Sequence, residues 1–488
     1  MFVRKINIKN FKCFDDNFEG LEFNTPNGSL GSGLNIFVGE NNCGKSTIFE
    51  AISFLRDGTK KSLNDIKNKK SLCKDFISVE LMFSGDNIEG VIDDFSQENK
   101  KDIFKKYVYK NEANEKCLKL FRSSEKIKEI KLWDNSKSEF KNEAGIDAPV
   151  KKLFEINIVS LDLDPSDEAS YGSSTTCGNL LKEIVKNFEG TDSYKNFSEI
   201  FNKTFNKKDS EFKNKLKEVE DSAEKIFIEQ FGEAKLSFHF DELKIDSLLK
   251  NTKIKVDDGV LTNMEEKGDG MQRSITLALL QVYANQLIRH PEKDISKPFF
   301  LFIDEPELCL HPQAQIKLSR AISELSKNRQ VFVATHSPYF FKNIAGDTKF
   351  FLFKKEVDNG VKILDVKNEN WGNFPWSPSW GEINFYAYNL PTIEFHDELY
   401  GRLQEKTQNY KENDIENYFV ANRITLCKKW TPEKDGKILQ EKNVTLQTFI
   451  RNKIHHPENV TMQSSDYTLD DLKQSSEEMI VLLQALGV

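Results

Sequence analysis

The sequence predicts a mixed α/β fold: a head built on a buried sheet, a helical insertion within it, and a mainly α-helical C-terminal domain. Three apolar runs carry the first part of that prediction. Leu34–Val38, Phe299–Ile303 and Val331–Thr335 are apolar almost throughout instead of alternating, as strands covered on both faces are. Each stops abruptly at a polar cluster, Gly39–Thr47, Asp304-Glu305 and His336-Ser337 respectively.

Taken in order, the chain begins with the alternating run Phe2–Ile8, the pattern of a half-buried strand. After a glycine-rich turn at Gly28–Gly33 comes the strand that closes on Gly39-Glu40-Asn41-Asn42-Cys43-Gly44-Lys45-Ser46-Thr47, followed by the helical pattern Ile48–Leu55. This is a phosphate-binding loop. Gly39 and Gly44 let the backbone turn and bring N–H groups close to anionic oxygens, and the new helix directs its positive end at them. Lys45 then reaches the β- and γ-phosphates, and the Ser46 hydroxyl ligates Mg²⁺. ATP and Mg²⁺ are the cofactors this implies.

Further strand-like runs are Ile77–Phe83, Leu118–Phe121, Ile127–Trp133 and Ile156–Leu161. From about Glu168 to Lys235 the pattern becomes charged and helical, with Phe197, Ile200 and Phe201 at helical spacing and a proline-free stretch from Phe212 to Phe231. Strand-like sequence returns at Leu236–Phe240 and Ile254–Val256. Then Lys267-Gly268-Asp269-Gly270-Met271-Gln272-Arg273 opens the helical run Ser274–Leu280, either as a second anion-binding helix start or as a capped helix after a turn. The expected divisions are 1–165 and 236–357 for two lobes of the head, 166–235 for the insertion and 358–488 for the C-terminal domain.

The acids at the end of the Phe299–Ile303 strand have separate assignments. Asp304 holds the metal shell, and Glu305 polarises the attacking water as general base. His336, at the end of the second buried strand, either hydrogen-bonds the γ-phosphate or is a satisfied loop histidine, and it is the order of the motifs that favours the phosphate contact. In this order the motifs resemble the ATPase heads of the ABC superfamily, in the branch of RecF, the structural-maintenance-of-chromosomes (SMC) proteins and the OLD-type nucleases. The resemblance covers residues 1 to about 350. It implies that Gly268, Asp269, Gly270, Gln272 and Arg273 form a signature motif that acts in trans on a second subunit, that Pro306–Pro312 is the D-loop, and that His336 is the switch histidine. A homodimer of heads, or a higher oligomer, follows from it. The usual signature serine is replaced near Gly268-Asp269. The Glu-Gly and Asp-x-Asp pattern of a Toprim nuclease does not follow His336, which argues against DNA nicking by that route.

Composition bounds the rest. The seven cysteines include no Cys-x-x-Cys pair, so they suggest neither a zinc site nor a disulfide framework. No apolar run reaches the ~20 residues of a membrane span, and Met1-Phe2-Val3-Arg4 leads straight into a strand, so the expectation is a cytoplasmic protein without membrane contact. A net charge of −8 argues against a uniformly basic surface, leaving Lys60-Lys61, Lys67–Lys70 and Lys100–Lys106 as local candidates for nucleic-acid contact or as solvated faces.

Beyond Asp358 the expectation is a loop holding Trp371, Trp376 and Trp380, then helices, the first from Pro391 to Tyr400. Within Thr445–Asn459, Arg451-Asn452 with His456 resembles the Arg-x4-His motif of HEPN domains, small helical ribonucleases. The likeness implies metal-independent RNA cleavage, with His456 exchanging a proton and Arg451 stabilising phosphoryl charge. On a continuous helix Arg451 and His456 sit roughly 140° apart while His455 lies nearly above Arg451, and Pro457 disfavours helical geometry at His456. The competing reading is a helix end whose basic groups face the dipole. Two functions follow: an ATP-gated effector of antiviral defence with a built-in RNase, or an ATPase scaffold, similar to the defence ATPases PtuA and AriA, that senses nucleic acid or a phage protein and controls a separately encoded nuclease or toxin. A RecF-like repair ATPase stands third.

Overall fold

The computed structural model describes residues 1–160 apart from 72–74, 94 and 96, and residues 299–487 apart from 306, 308–309, 338–346, 357–359, 367–371 and 435–436. Between them it describes 188, 191–205, 207, 210–231, 235, 238, 253–268 and scattered helical positions from 271 to 282. The chain divides into two compact units, Met1–Ser160 with His290–Val488, and Leu161–Arg289.

The first unit holds two sheets. The antiparallel one comprises β1 (Phe2–Lys9), β2 (Leu21–Glu22), β4 (Ser78–Ser84), β5 (Tyr109–Lys110), β6 (Lys116–Ser123), β7 (Ile130–Asp134) and β8 (Glu139–Asn142), in the order β2-β1-β4-β6-β7-β8 with β5 beside β6. The other contains β3 (Leu34–Gly39), β9 (Glu155–Ser160), β12 (Phe299–Asp304), β13 (Gln330–Thr335), β14 (Lys349–Glu356) and β15 (Gly360–Asp365). Its order is β15-β14-β3-β13-β12-β9, every pairing except β14 with β15 is parallel, and helix α4 (Pro312–Leu325) connects β12 to β13.

Helix α1 (Lys45–Asp57) lies between the sheets, with Ile48, Phe49, Ala51, Ile52, Phe54 and Leu55 all buried. A helix covered on both sides cannot be amphipathic in the ordinary way, which explains why its apolar residues do not fall on one stripe. Part of the chain's 38 phenylalanines fills this layer. Phe302 and Phe332 stack at 4.7 Å, Phe49 packs on Phe302 at 4.7 Å, and Phe37 meets Phe49 at 5.7 Å. Buried Gln330 stitches the sheets together: its Oε1 accepts from Val3 N–H at 2.9 Å, and its Nε2 donates to the Val3 carbonyl at 2.7 Å. A side-chain amide thus replaces a missing backbone partner on β1.

In the second unit, helices α2 (Asp192–Phe205) and α3 (Glu211–Phe231) and the hairpin of β10 (Lys255–Asp257) with β11 (Leu261–Asn263) are described. The expected strand Leu236–Phe240 lies almost wholly outside the described residues.

The C-terminal segment departs from its expectation in two places. Trp380 is helical, not part of a loop: α5 (Trp380–Tyr388) starts on a capping box in which Ser379 and Glu382 satisfy each other's backbone N–H groups. The expected first helix is therefore the second, α6 (Ile393–Thr407). After α7 (Glu412–Ala421), strands appear where only helix was expected, β16 (Leu426–Trp430) pairing with β19 (Lys442–Thr445), and a two-residue hairpin of β17 (Glu433–Lys434) and β18 (Lys437–Ile438). Helices α8 (Leu446–His455) and α9 (Leu469–Ala485) complete it. Phe395, Leu399 and Leu403 of α6 pack with Met479 and Leu483 of α9.

His396 of α6 lies wholly inside this core, its Nε2 2.9 Å from Ser475 Oγ. Burial, reinforced by nearby His455, takes its pKa from 6.5 down to about 3. Between these values the unfolded chain binds a proton that the folded chain does not, so stability falls as pH drops through this window. Lowering the pH from 6.5 to 5 should cost about 1.6 kcal/mol, because the slope reaches its full value of roughly 1.4 kcal/mol per pH unit only below the unfolded pKa. Chemical denaturation at each pH measures it, and His396→Gln should flatten that part of the acid limb.

Candidate functional site

Parallel pairing sets the site. Val38 stands beside Thr335, and Ala334 beside Asp304, so the ends of β3, β13 and β12 emerge together with their three polar clusters. Gly39 and Gly44 are glycine for steric reasons. A β-carbon at Gly39 would collide with the Phe353 carbonyl, and one at Gly44, where φ is 95°, with Cys13 Sγ. Gly44 is also the residue before α1 and carries no side chain to cap it. The first N–H groups of α1 are thereby left for an anion, and exposed Glu40, Asn41 and Asn42 border the opening.

Ser46 Oγ donates to Asp304 Oδ2 at 2.6 Å. A hydroxyl and a carboxylate side by side at an exposed strand end are hard oxygen ligands suited to Mg²⁺, which keeps several waters and takes few protein ligands. The donor set therefore fits a magnesium nucleotide. Lys45 is largely buried, and its ammonium donates to the Gly39 and Glu40 carbonyls, both at 3.0 Å. Burial lowers its pKa, with Cys43, Asp304 and Glu305 opposing.

His336 joins the two halves. Its Nε2 is 3.0 Å from Lys45 Nζ and 3.1 Å from Glu305 Oε1. Burial and then the Lys45 ammonium hold the imidazole below its ordinary pKa, favouring the neutral ring. A neutral ring carries one proton. On Nε2 it donates to Glu305; on Nδ1 it leaves Nε2 to accept from Lys45. Glu305 has a left-handed backbone, φ 51°, while its N–H still bonds the Ala334 carbonyl at 2.8 Å. That conformation is uncommon for glutamate and turns its carboxylate toward His336. Burial pushes the Cys13 thiol up to about 11 and raises that of Cys43, so both stay protonated beside the loop.

Sequence reasoning missed two residues here. Glu307, within the expected D-loop, accepts the N–H groups of His336 and Ser337 on one oxygen, the latter at 2.9 Å. Its carboxylate thus fixes the backbone that carries His336. Its partners are main-chain groups far along the chain, which leave no sequence signature. Tyr388, at the end of α5, places its hydroxyl 3.4 Å from the Thr335 carbonyl, one residue before His336.

Gly268 and Gln272 of the expected signature are described; Asp269, Gly270 and Arg273 lie outside the described residues. Buried Gln272 donates to the Lys267 carbonyl at 2.6 Å, so it holds its own turn together.

In the C-terminal segment α8 stops at His455, and His456 is non-helical, with φ −127°. Arg451 lies with its guanidinium carbon 5.9 Å from the Tyr400 ring and donates to Asn452 Oδ1 at 3.1 Å. Asn452 is fully buried and donates to Glu412, so it cannot itself touch a bound RNA. His456 faces elsewhere, toward Glu458 at 3.3 Å and the ring of Trp430 at 6.5 Å. It is His455 that meets a carboxylate near Arg451, its Nε2 3.2 Å from Asp397 Oδ2.

The AAA ATPase domain family matches residues 1–341. The chain belongs to that family. The Old nuclease of Escherichia phage P2 is 28% identical over 322 residues, 62% of this chain and 52% of that protein. The phosphate import ATP-binding protein PstB of Malacoplasma penetrans is 36% identical over 64 residues, 13% of this chain and 22% of PstB. The chain thus spans about half the length of the first relative and about a fifth of the second. Among solved structures, the SmcHead bound to the C-winged helix domain of ScpA is similar at 16% identity and TM-score 0.45, over 76% of this chain and 98% of that one. Among the described residues no helix is long and apolar enough to cross a membrane.

Two substitutions test the site. Glu305→Gln should lower ATP hydrolysis by about 10²- to 10⁴-fold, the range for a general base, while calorimetry still detects ATP binding. Glu307→Ala removes charge-assisted hydrogen bonds worth about 1.5–3 kcal/mol each. Steady-state kinetics should then find kcat at least about tenfold lower.

Proposed function

We propose that this chain is an ATP-hydrolysing switch of a bacterial antiviral defence system, and that its AAA ATPase domain gates an effector carried by the C-terminal segment. The observation behind the gating is the Tyr388 hydroxyl at 3.4 Å from the Thr335 carbonyl, which places the first C-terminal helix against the strand that ends at His336. Whatever moves His336 also moves the acceptor of that helix.

At the site, Lys45 and the N-terminal N–H groups of α1 bind the phosphates, and Ser46 with Asp304 holds Mg²⁺, which supplies charge neutralisation. Glu305 accepts the proton of the attacking water, and His336, kept neutral, contacts the γ-phosphate oxygen. Glu307 keeps that ring in place. A second copy supplies Gly268, Asp269, Gly270, Gln272 and Arg273 in trans, so the working form is a homodimer or larger. The effector is an HEPN-like ribonuclease using Arg451 and His456, with Asn452 orienting the arginine. Likeness to a phage nuclease over more than half of this chain agrees with a nuclease-linked role.

One observation favours a second reading. Arg451 and His456 face different neighbours, which suits a scaffold whose C-terminal helices dock a separately encoded nuclease or toxin.

Purified protein incubated with total tRNA and with unstructured RNA separates the two. For the built-in ribonuclease, cleavage survives EDTA in a nucleotide-free sample, disappears in His456→Ala and changes in Glu305→Gln. Intact RNA in every lane, from a preparation that hydrolyses ATP, supports the scaffold instead.

A further inference from the structure

The antiparallel sheet of the first unit buries one face, with Leu118, Leu120, Ile130 and Leu132 in the core. Its other face should be polar, yet at the β6-β7-β8 end it carries three half-buried aromatic rings. Phe121 and Phe140 lie 4.8 Å apart and nearly parallel, and Trp133 meets Phe140 edge-on at 5.0 Å. Lysines flank the rings: the Lys119 ammonium is 4.7 Å from the Trp133 ring and that of Lys131 is 5.9 Å from Phe121. The Trp133 ring N–H is occupied locally by Asn135 at 3.4 Å, so the indole offers its surface, not its donor.

Register assigns the charges of this face. Lys5, Lys9, Lys119 and Lys131 share it with Glu22 and Glu80, four cations against two acids. Glu80 is held by Lys119 at 3.1 Å and Asn7 at 3.3 Å, whereas Lys131 has no ion pair among the described residues. The face is therefore net positive on a chain of net charge −8.

We propose that this face binds single-stranded nucleic acid, with one or two bases stacked on Trp133, Phe121 and Phe140 and the backbone phosphates held by Lys131 and Lys119. Aromatic rings flanked by cations on an open sheet suit unpaired bases, whose ring faces are free, and a duplex hides those faces by its own stacking. The surface lies on a different element from Arg451 and His456 and requires no cleavage.

The test uses the intact chain and labelled oligo(dT) of about twelve nucleotides, within the range one such surface accommodates. DNA lacks the 2′-hydroxyl, so RNA cleavage cannot interfere; oligo(U) in the His456→Ala background compares RNA. Fluorescence anisotropy should report binding of the single strands and weaker binding of a duplex of equal length. Trp133→Ala should weaken it about 5- to 150-fold, the loss of one base stack, while Trp133→Phe, which keeps a ring, retains most of it. Lys131→Glu should weaken binding and reduce its salt dependence by about one counterion. Equal binding by Trp133→Ala and the parent, duplex binding as tight as single-strand binding, or no binding by the parent would each overturn the proposal.

Discussion

Everything at the nucleotide site depends on three neighbouring strands running the same way. Because β3, β13 and β12 are parallel and in register, the loop after each opens at one edge of the sheet, although their sequences are separated by hundreds of residues. Were any of them antiparallel, its polar cluster would lie at the opposite edge. The parallel arrangement in turn needs both faces covered, which α1 provides on one side by burying its apolar residues between two sheets. The catalytic geometry and the phenylalanine-filled core are thus consequences of one requirement.

That requirement also explains what the sequence made legible. Residues at a strand end are contiguous in the sequence, so Gly39–Thr47, Asp304-Glu305 and His336, which the structure brings together, could be singled out without coordinates. Glu307 could not, since its effect is exerted on main-chain N–H groups of residues 336 and 337. Helix α5 was readable in principle, because Ser379 and Glu382 have capping-box spacing, but the surrounding tryptophans and prolines suggested a loop. The β16–β19 pair left a weaker trace: Leu426 and Cys427 are exposed and Lys428 and Lys429 interrupt the apolar pattern. Pro457 did mark the end of α8, whereas which way Arg451 and His456 turn depends on Tyr400 and Trp430, supplied by other elements.

The C-terminal segment is built on different terms from the head. Its core contains a buried histidine, and its helix starts depend on side chains such as Thr445, whose hydroxyl is shared with Glu416 at 2.9 Å. Polar groups in a core are favourable only while each keeps its partner. A segment so constructed is more sensitive to acid than the phenylalanine layers of the head.

The strands β9 and β12 are immediate neighbours, Glu155 beside Phe299 and Ser160 beside Asp304, yet the second unit lies between them in sequence. The chain leaves one strand and re-enters at the start of the next, so the sheet fixes only where this excursion departs and returns. Its length and content are free of the sheet's register. The part of that excursion ahead of the 268–273 turn can therefore change in size while Asp304 stays beside Ser46, so the room for new specificity lies in the stretch before the turn and not in the turn itself.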